Sequence, residues 1–207
     1  MREVYLDVQR LSVTPGRVPR SLQSATARDL LDVLLMEATG RAWTVSRDPD
    51  GRPHVEGGGP DVSLSHSAAW VSAAVVTRGR IGIDIEAHRP DRRDRSAIAR
   101  RWFSAEEQSL VESGGDPALL ACWTLREAFG KATGGGVAAA LTVDGRLLLT
   151  AIGGAATAVI DGHRWALAQG GTRDFQAALA WRDGDTLHLA DAVQAMLQRT
   201  TETSPSG

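Results

Sequence analysis

Ile81-Gly82-Ile83-Asp84-Ile85-Glu86 alternates apolar and polar residues without a break. Strict period-two alternation marks a β-strand, with Ile81, Ile83 and Ile85 on one face and Gly82, Asp84 and Glu86 on the other. The two carboxylates then stand roughly 7 Å apart along one face. Two acids on a strand are by themselves an ordinary solvated face. Gly82 on the same face would leave room for a ligand to approach the backbone.

Upstream, 22–39 reads as an amphipathic helix with Leu30, Leu31, Leu34 and Leu35 on its apolar stripe and Gly40 as its stop. Asp48-Pro49-Asp50-Gly51 is a turn, and 62–67 and 71–77 read as strands. Downstream, Ser104-Ala105-Glu106-Glu107 has the form of a capping box. Asp116-Pro117 opens a helix expected to run to Thr133 and stop at Gly134-Gly135-Gly136. Short strands are expected over 141–152, 156–160, 164–168, 175–181 and 186–189, followed by a polar, disordered tail over 200–207. Each half thus offers a long helix and several strands, an α+β pattern. Two subdomains are expected, 1–92 and 93–199.

On the second long helix Trp123, Glu127 and Lys131 recur every fourth residue and form one stripe. Glu127 and Lys131 lie about 6 Å apart along the axis, the spacing of an ordinary i,i+4 ion pair. Of the 23 basic residues 22 are Arg, so Lys131 is the sole lysine. Strand and helix together supply three carboxylates and one ammonium. That set suits Mg²⁺, a hard cation with oxygen ligands, held beside a phosphate that the lysine neutralises. Glu127 would bind the ion or take a proton from an attacking hydroxyl.

Composition narrows the class. A net charge of −2 argues against general nucleic-acid binding. The N-terminal residues lack the apolar run of a signal peptide, and no stretch approaches the ~20 apolar residues of a membrane span. The single cysteine, Cys122, allows no disulfide and suits a reducing cytoplasm. The 89–101 stretch carries six Arg and two Asp. It is a solvated face or a dock for an acidic partner.

The strand motif and Trp123-Thr124-Leu125-Arg126-Glu127-Ala128-Phe129-Gly130-Lys131-Ala132-Thr133-Gly134 resemble the two-part signature of 4′-phosphopantetheinyl transferases, with a 43-residue step from Asp84 to Glu127. Gly51-Arg52-Pro53, Ser63-Leu64-Ser65-His66-Ser67 and Arg101-Trp102-Phe103-Ser104 resemble further motifs of the larger, surfactin-synthetase type. The resemblance implies transfer of 4′-phosphopantetheine from coenzyme A to a carrier-protein serine. Asp84, Glu86 and Glu127 would hold Mg²⁺, and Glu127 and Lys131 would be catalytic. Arg52, Ser65, His66 and Lys131 would contact coenzyme A, with Arg28 chosen ahead of Arg17 and Arg20 for an N-terminal contact. It also implies two similar α+β subdomains in a monomeric chain, with the active site in the cleft between them. The family usually has Lys at the positions of Arg126 and Arg52. A phosphohydrolase, a non-catalytic binder of coenzyme A and a plain structural protein are the rival readings.

Overall fold

The computed structural model describes residues 3–12, 18–88, 96–184 and 186–202. The expectations for Arg17, for 89–95 and for 203–207 lie outside these residues.

The strand read first is the spine of the molecule. β6 (Arg80–Ala87) pairs antiparallel with β9 (Phe175–Arg182) in a four-stranded sheet of order β6-β9-β8-β7, where β7 is Ala155–Ile160 and β8 is His163–Gly171. Ile81, Ile83 and Ile85 are fully buried. Their core also takes Val4, Leu6 and Val8 of β1 (Val4–Arg10) and Leu189, Val193 and Met196 of α6 (Thr186–Glu202). On the opposite face Gly82 and Asp84 are buried too, Asp84 only 5% exposed, and Glu86 is half-buried, because α3 (Ala105–Thr133) lies across it. The expectation of a solvated acidic face is therefore corrected. So is the role of Gly82. A Cβ there would sit 1.9 Å from the Ala128 carbonyl oxygen, so the backbone that approaches it is α3 rather than a ligand. Gly82→Ala is expected to force helix and strand apart at a cost of about 1–3 kcal/mol, read as a lower urea midpoint at unchanged slope.

The first half forms a three-stranded antiparallel sheet of order β1-β5-β4, with β4 at Asp61–Ser67 and β5 at Trp70–Val76. Helix α1 (Arg20–Thr39) packs Leu31, Leu34 and Leu35 on Val62, Ala73 and Val75. It ends at Gly40, whose φ of 73° is the left-handed cap conformation. The hairpin of β2 (Val45–Arg47) and β3 (Pro53–Val55) flanks it.

β4 and β6 lie side by side without a backbone ladder. Side chains take its place. The N–H groups of Ile81, Ile83, Ile85 and Ala87 donate in turn to Asp61, Ser63, Ser65 and Ser67, at 2.7, 3.1, 3.4 and 3.1 Å. Buried N–H groups need partners, and this row of short oxygen-bearing side chains supplies them along the seam between the two sheets.

Two expected strands are helices. The 141–152 run forms the end of α4 (Gly136–Thr142) and α5 (Gly145–Leu149), the latter capped by Asp144, which accepts from the Arg146 N–H at 3.0 Å. Apolar residues in that run lack period-two order, and their core contacts face α3. Thr186 begins α6 rather than a strand, because Leu189, Ala192, Val193 and Met196 fall at helical spacing against the shared core. The capping box at Ser104 and Glu107 is present. The two helices expected there run end to end as α3, broken only at Gly115 (φ 62°, ψ −148°). A short α2 (Ser96–Trp102) precedes it. No helix among the described residues is long and apolar enough to cross a membrane.

Candidate active site

Between Ala121 and Ala132 every residue of α3 is buried except Trp123, Glu127 and Lys131. The helical stripe is thus the one outlet of that stretch; Glu127 and Lys131 meet the acids of β6, and Trp123 packs on the cluster of Ala99 and Phe103. Lys131 Nζ donates to Asp84 Oδ1 at 2.7 Å and to the Ile83 carbonyl at 3.0 Å. Ser65 Oγ donates to the same Oδ1 at 2.7 Å. Asp84 Oδ2 is buried and has no hydrogen-bond partner. Glu86, half-buried, accepts from Ser67 Oγ at 2.7 Å.

Glu127 feels both acids. Burial first, then the charges of Asp84 and Glu86, raise its pKa, with Lys131 opposing. Among the described residues no three His, Cys, Asp or Glu side chains are gathered closely enough to cage a metal ion. The ammonium of Lys131 instead sits where a cation is wanted. The orphaned Oδ2 and the mutual repulsion felt by Glu127 are what a divalent cation would relieve, so the donor chemistry fits one.

A cavity of about 620 Å³ opens beside Lys131. Arg52, Ser65 and His66 line it with Lys131, and α1 and the Gly134–Gly136 turn close its edges. Burial, with minor contributions from Arg20, Lys131 and Arg47, lowers the His66 pKa and favours the neutral ring. Arg52 is held on both sides. It pairs with Asp61 at 2.7 Å and donates to the carbonyls of Lys131 and Ala132. Burial lowers its pKa and Asp61 pulls it back up.

Arg28 is not in the lining. Its guanidinium donates to the Val45 carbonyl and ties α1 to β2. Arg126 also stays out of the cavity. It is 3% exposed and forms a two-pronged pair with Glu107 at 2.9 and 2.6 Å. It also donates to the carbonyls of Ala140 and Val143 at 2.8 and 3.3 Å. Four acceptor oxygens around one planar fork explain Arg rather than Lys here. Cys122 is buried, and burial pushes its thiol up to about 12, so it is chemically inert.

Sequence reading passed over Ser67, Asp61 and Arg47. Ser67 and Asp61 belong to the alternating oxygen row of β4, a signal visible in the sequence. Arg47 lines the cavity from the start of the turn at Asp48.

The arrangement is a carboxylate-and-lysine centre at a helix–strand crossing, opening on a cavity with basic groups. Residues 80–180 match the model of the 4′-phosphopantetheinyl transferase superfamily. The chain is similar to the 4′-phosphopantetheinyl transferase HetI of Nostoc sp., 39% identical over 80 residues, covering 37% of this chain and 33% of the relative. It is equally similar to the 4′-phosphopantetheinyl transferase psf-1 of Bacillus pumilus, 39% identical over 84 residues, covering 39% and 34%. A putative 4′-phosphopantetheinyl transferase of Haemophilus influenzae is 27% identical over 147 residues, covering 63% and 59%. The chain therefore spans about a third of the length of the first two relatives and under two thirds of the third.

Proposed function

We propose that this chain is a Mg²⁺-dependent 4′-phosphopantetheinyl transferase. It moves 4′-phosphopantetheine from coenzyme A to a serine hydroxyl of an apo carrier protein and releases adenosine 3′,5′-bisphosphate. The observation that carries this reading is Lys131, which lines the cavity and donates to Asp84 at 2.7 Å, on the same helix as a Glu127 that feels the charges of Asp84 and Glu86. The match over 80–180 to a family of that activity supports it.

In this reaction the serine oxygen forms a bond to the β-phosphorus, and the bond from that phosphorus to the bridging oxygen breaks. Glu127 accepts the serine proton. Lys131 places a positive charge beside the phosphate under attack. His66 and Ser65 orient the coenzyme from β4, and Arg52 sets the cavity wall. Asp84, Glu86 and Glu127 would hold Mg²⁺, which neutralises charge building on the pyrophosphate when bound.

The same proposal includes the larger, surfactin-synthetase type, acting as a cytoplasmic monomer. The sheet β1-β5-β4 with α1, lying ahead of the matched stretch, supports that type. Subdomains 1–92 and 93–199 are proposed on the pairing of one long helix with one antiparallel sheet in each half. β6 lies in the first by position and in the second sheet by hydrogen bonding.

The decisive assay incubates the protein with coenzyme A, Mg²⁺ and several apo carrier proteins and weighs the carriers by mass spectrometry. One added phosphopantetheine per carrier is expected, and no addition to any carrier would refute the proposal. EDTA is expected to stop the reaction and excess Mg²⁺ to restore it; activity indifferent to EDTA removes the metal assignment.

A further inference from the structure

Arg80 and Arg182 are direct cross-strand partners in β6 and β9. Directly opposed side chains share a face, and like charges so placed repel. The Nε atoms of both guanidinium groups are buried and have no hydrogen-bond partner. Both side chains line one cavity of about 240 Å³ beyond the C-terminal turn of α3. Thr133 and His163 add polar groups to its wall, and Trp165 adds an apolar one.

The carboxylates nearby do not resolve the pair. Asp61 stands 3.7 Å from Arg80 Nε and is already committed to Arg52 and the Ile81 N–H. Asp183 stands 3.7 Å from Arg182 Nε and is largely exposed. Asp161 lies on the cavity wall and makes no ion pair with either arginine within 4.0 Å. The two side chains are 39% and 37% exposed, so an oxyanion in the cavity would meet the accessible parts of both guanidinium groups and cancel the repulsion between them.

We propose that this cavity is a binding site for a small multivalent oxyanion of the phosphate class, separate from the site at Lys131. Arg80 and Arg182 are its principal ligands, with His163 on the same wall; the Thr133 hydroxyl is committed to the Gly130 carbonyl. The site is distinct in its walls, since it is built from β6, β9, the β7–β8 hairpin and the far side of α3. It stands independently of the transferase reading.

The test is thermal unfolding of the full chain in inorganic phosphate, against sodium chloride of equal ionic strength. Phosphate at tenfold its dissociation constant should raise Tm by about 3–6 °C. Arg182→Gln should lose most of that response. In chloride alone Arg182→Gln should unfold at the same temperature as the parent or higher, because one of two opposed charges is gone. Saturating coenzyme A should leave the phosphate response in place. A full response in Arg182→Gln overturns the proposal, as does a response abolished by coenzyme A. A variant markedly less stable in chloride does the same, since Arg182 would then be a structural group.

Discussion

Glu127→Gln is expected to lower carrier phosphopantetheinylation by about 10²–10⁴-fold, the usual contribution of a positioned general base. Gln keeps the shape of the side chain, so the half-buried position at the helix–strand crossing stays filled. What disappears is the proton acceptor and one negative charge. The fold should not suffer. Glu127 has a pKa raised above its ordinary 4.5 by burial and by Asp84 and Glu86, so its charged form is unfavourable in the folded state. Between 4.5 and the raised value the folded chain binds the proton more tightly than the unfolded chain. Glu127's contribution to stability is therefore greatest below pH 4.5 and falls as pH rises through the raised pKa. Gln removes that fall. Single-turnover transfer measured by mass spectrometry, with Tm across pH 4 to 8, checks both parts. A fully active Glu127→Gln enzyme ends the role given to this residue.

Glu107→Ala is expected to cost about 3–5 kcal/mol, the penalty for leaving a buried charge without its partner. Glu107 is fully buried and holds Arg126 by two hydrogen bonds. It also closes the capping box by accepting from the Ser104 N–H at 2.8 Å. A Cβ at Gly145 would fall 2.2 Å from its Oε2, so α5 is packed directly onto the carboxylate. Removing the carboxylate strands the guanidinium, uncaps α3 and opens a gap under α5. Glu107→Leu combined with Arg126→Leu should cost far less than Glu107→Ala alone, because no charge is left buried. Urea unfolding of the single and double variants decides this. A single variant within about 1 kcal/mol of the parent would show that the pair is not the tie described. Transfer should fall in step with the folded fraction, since Arg126 adjoins Glu127 on the chain but points away from the cavity.

Much of the site was legible because its chemistry is carried by spacing. A period of two placed Asp84 and Glu86 on one face, and a period of four placed Trp123, Glu127 and Lys131 on one stripe. Local rules also found the capping box at Ser104, the stop at Gly40 and all four strands of the second sheet. They failed over 141–152 and at Thr186. Short apolar runs there carry no decisive period, and packing on α3 and on β1 and β8 made them helical.

Other features were decided by what comes near in space. Gly82 reads as open space for a ligand until α3 is laid on it. Arg52 and Arg28 read as free basic groups until Asp61 and the carbonyls of Lys131, Ala132 and Val45 are brought within reach. Arg126 reads as a neighbour of Glu127 until Glu107, nineteen residues away, claims it. Sequence by itself determined which residues carry charge, where chain periodicity aims them and which pairs can share an element. Tertiary structure decided which of those charges meet, because burial and hydrogen-bond partners come from segments distant in the chain and no local period encodes their approach.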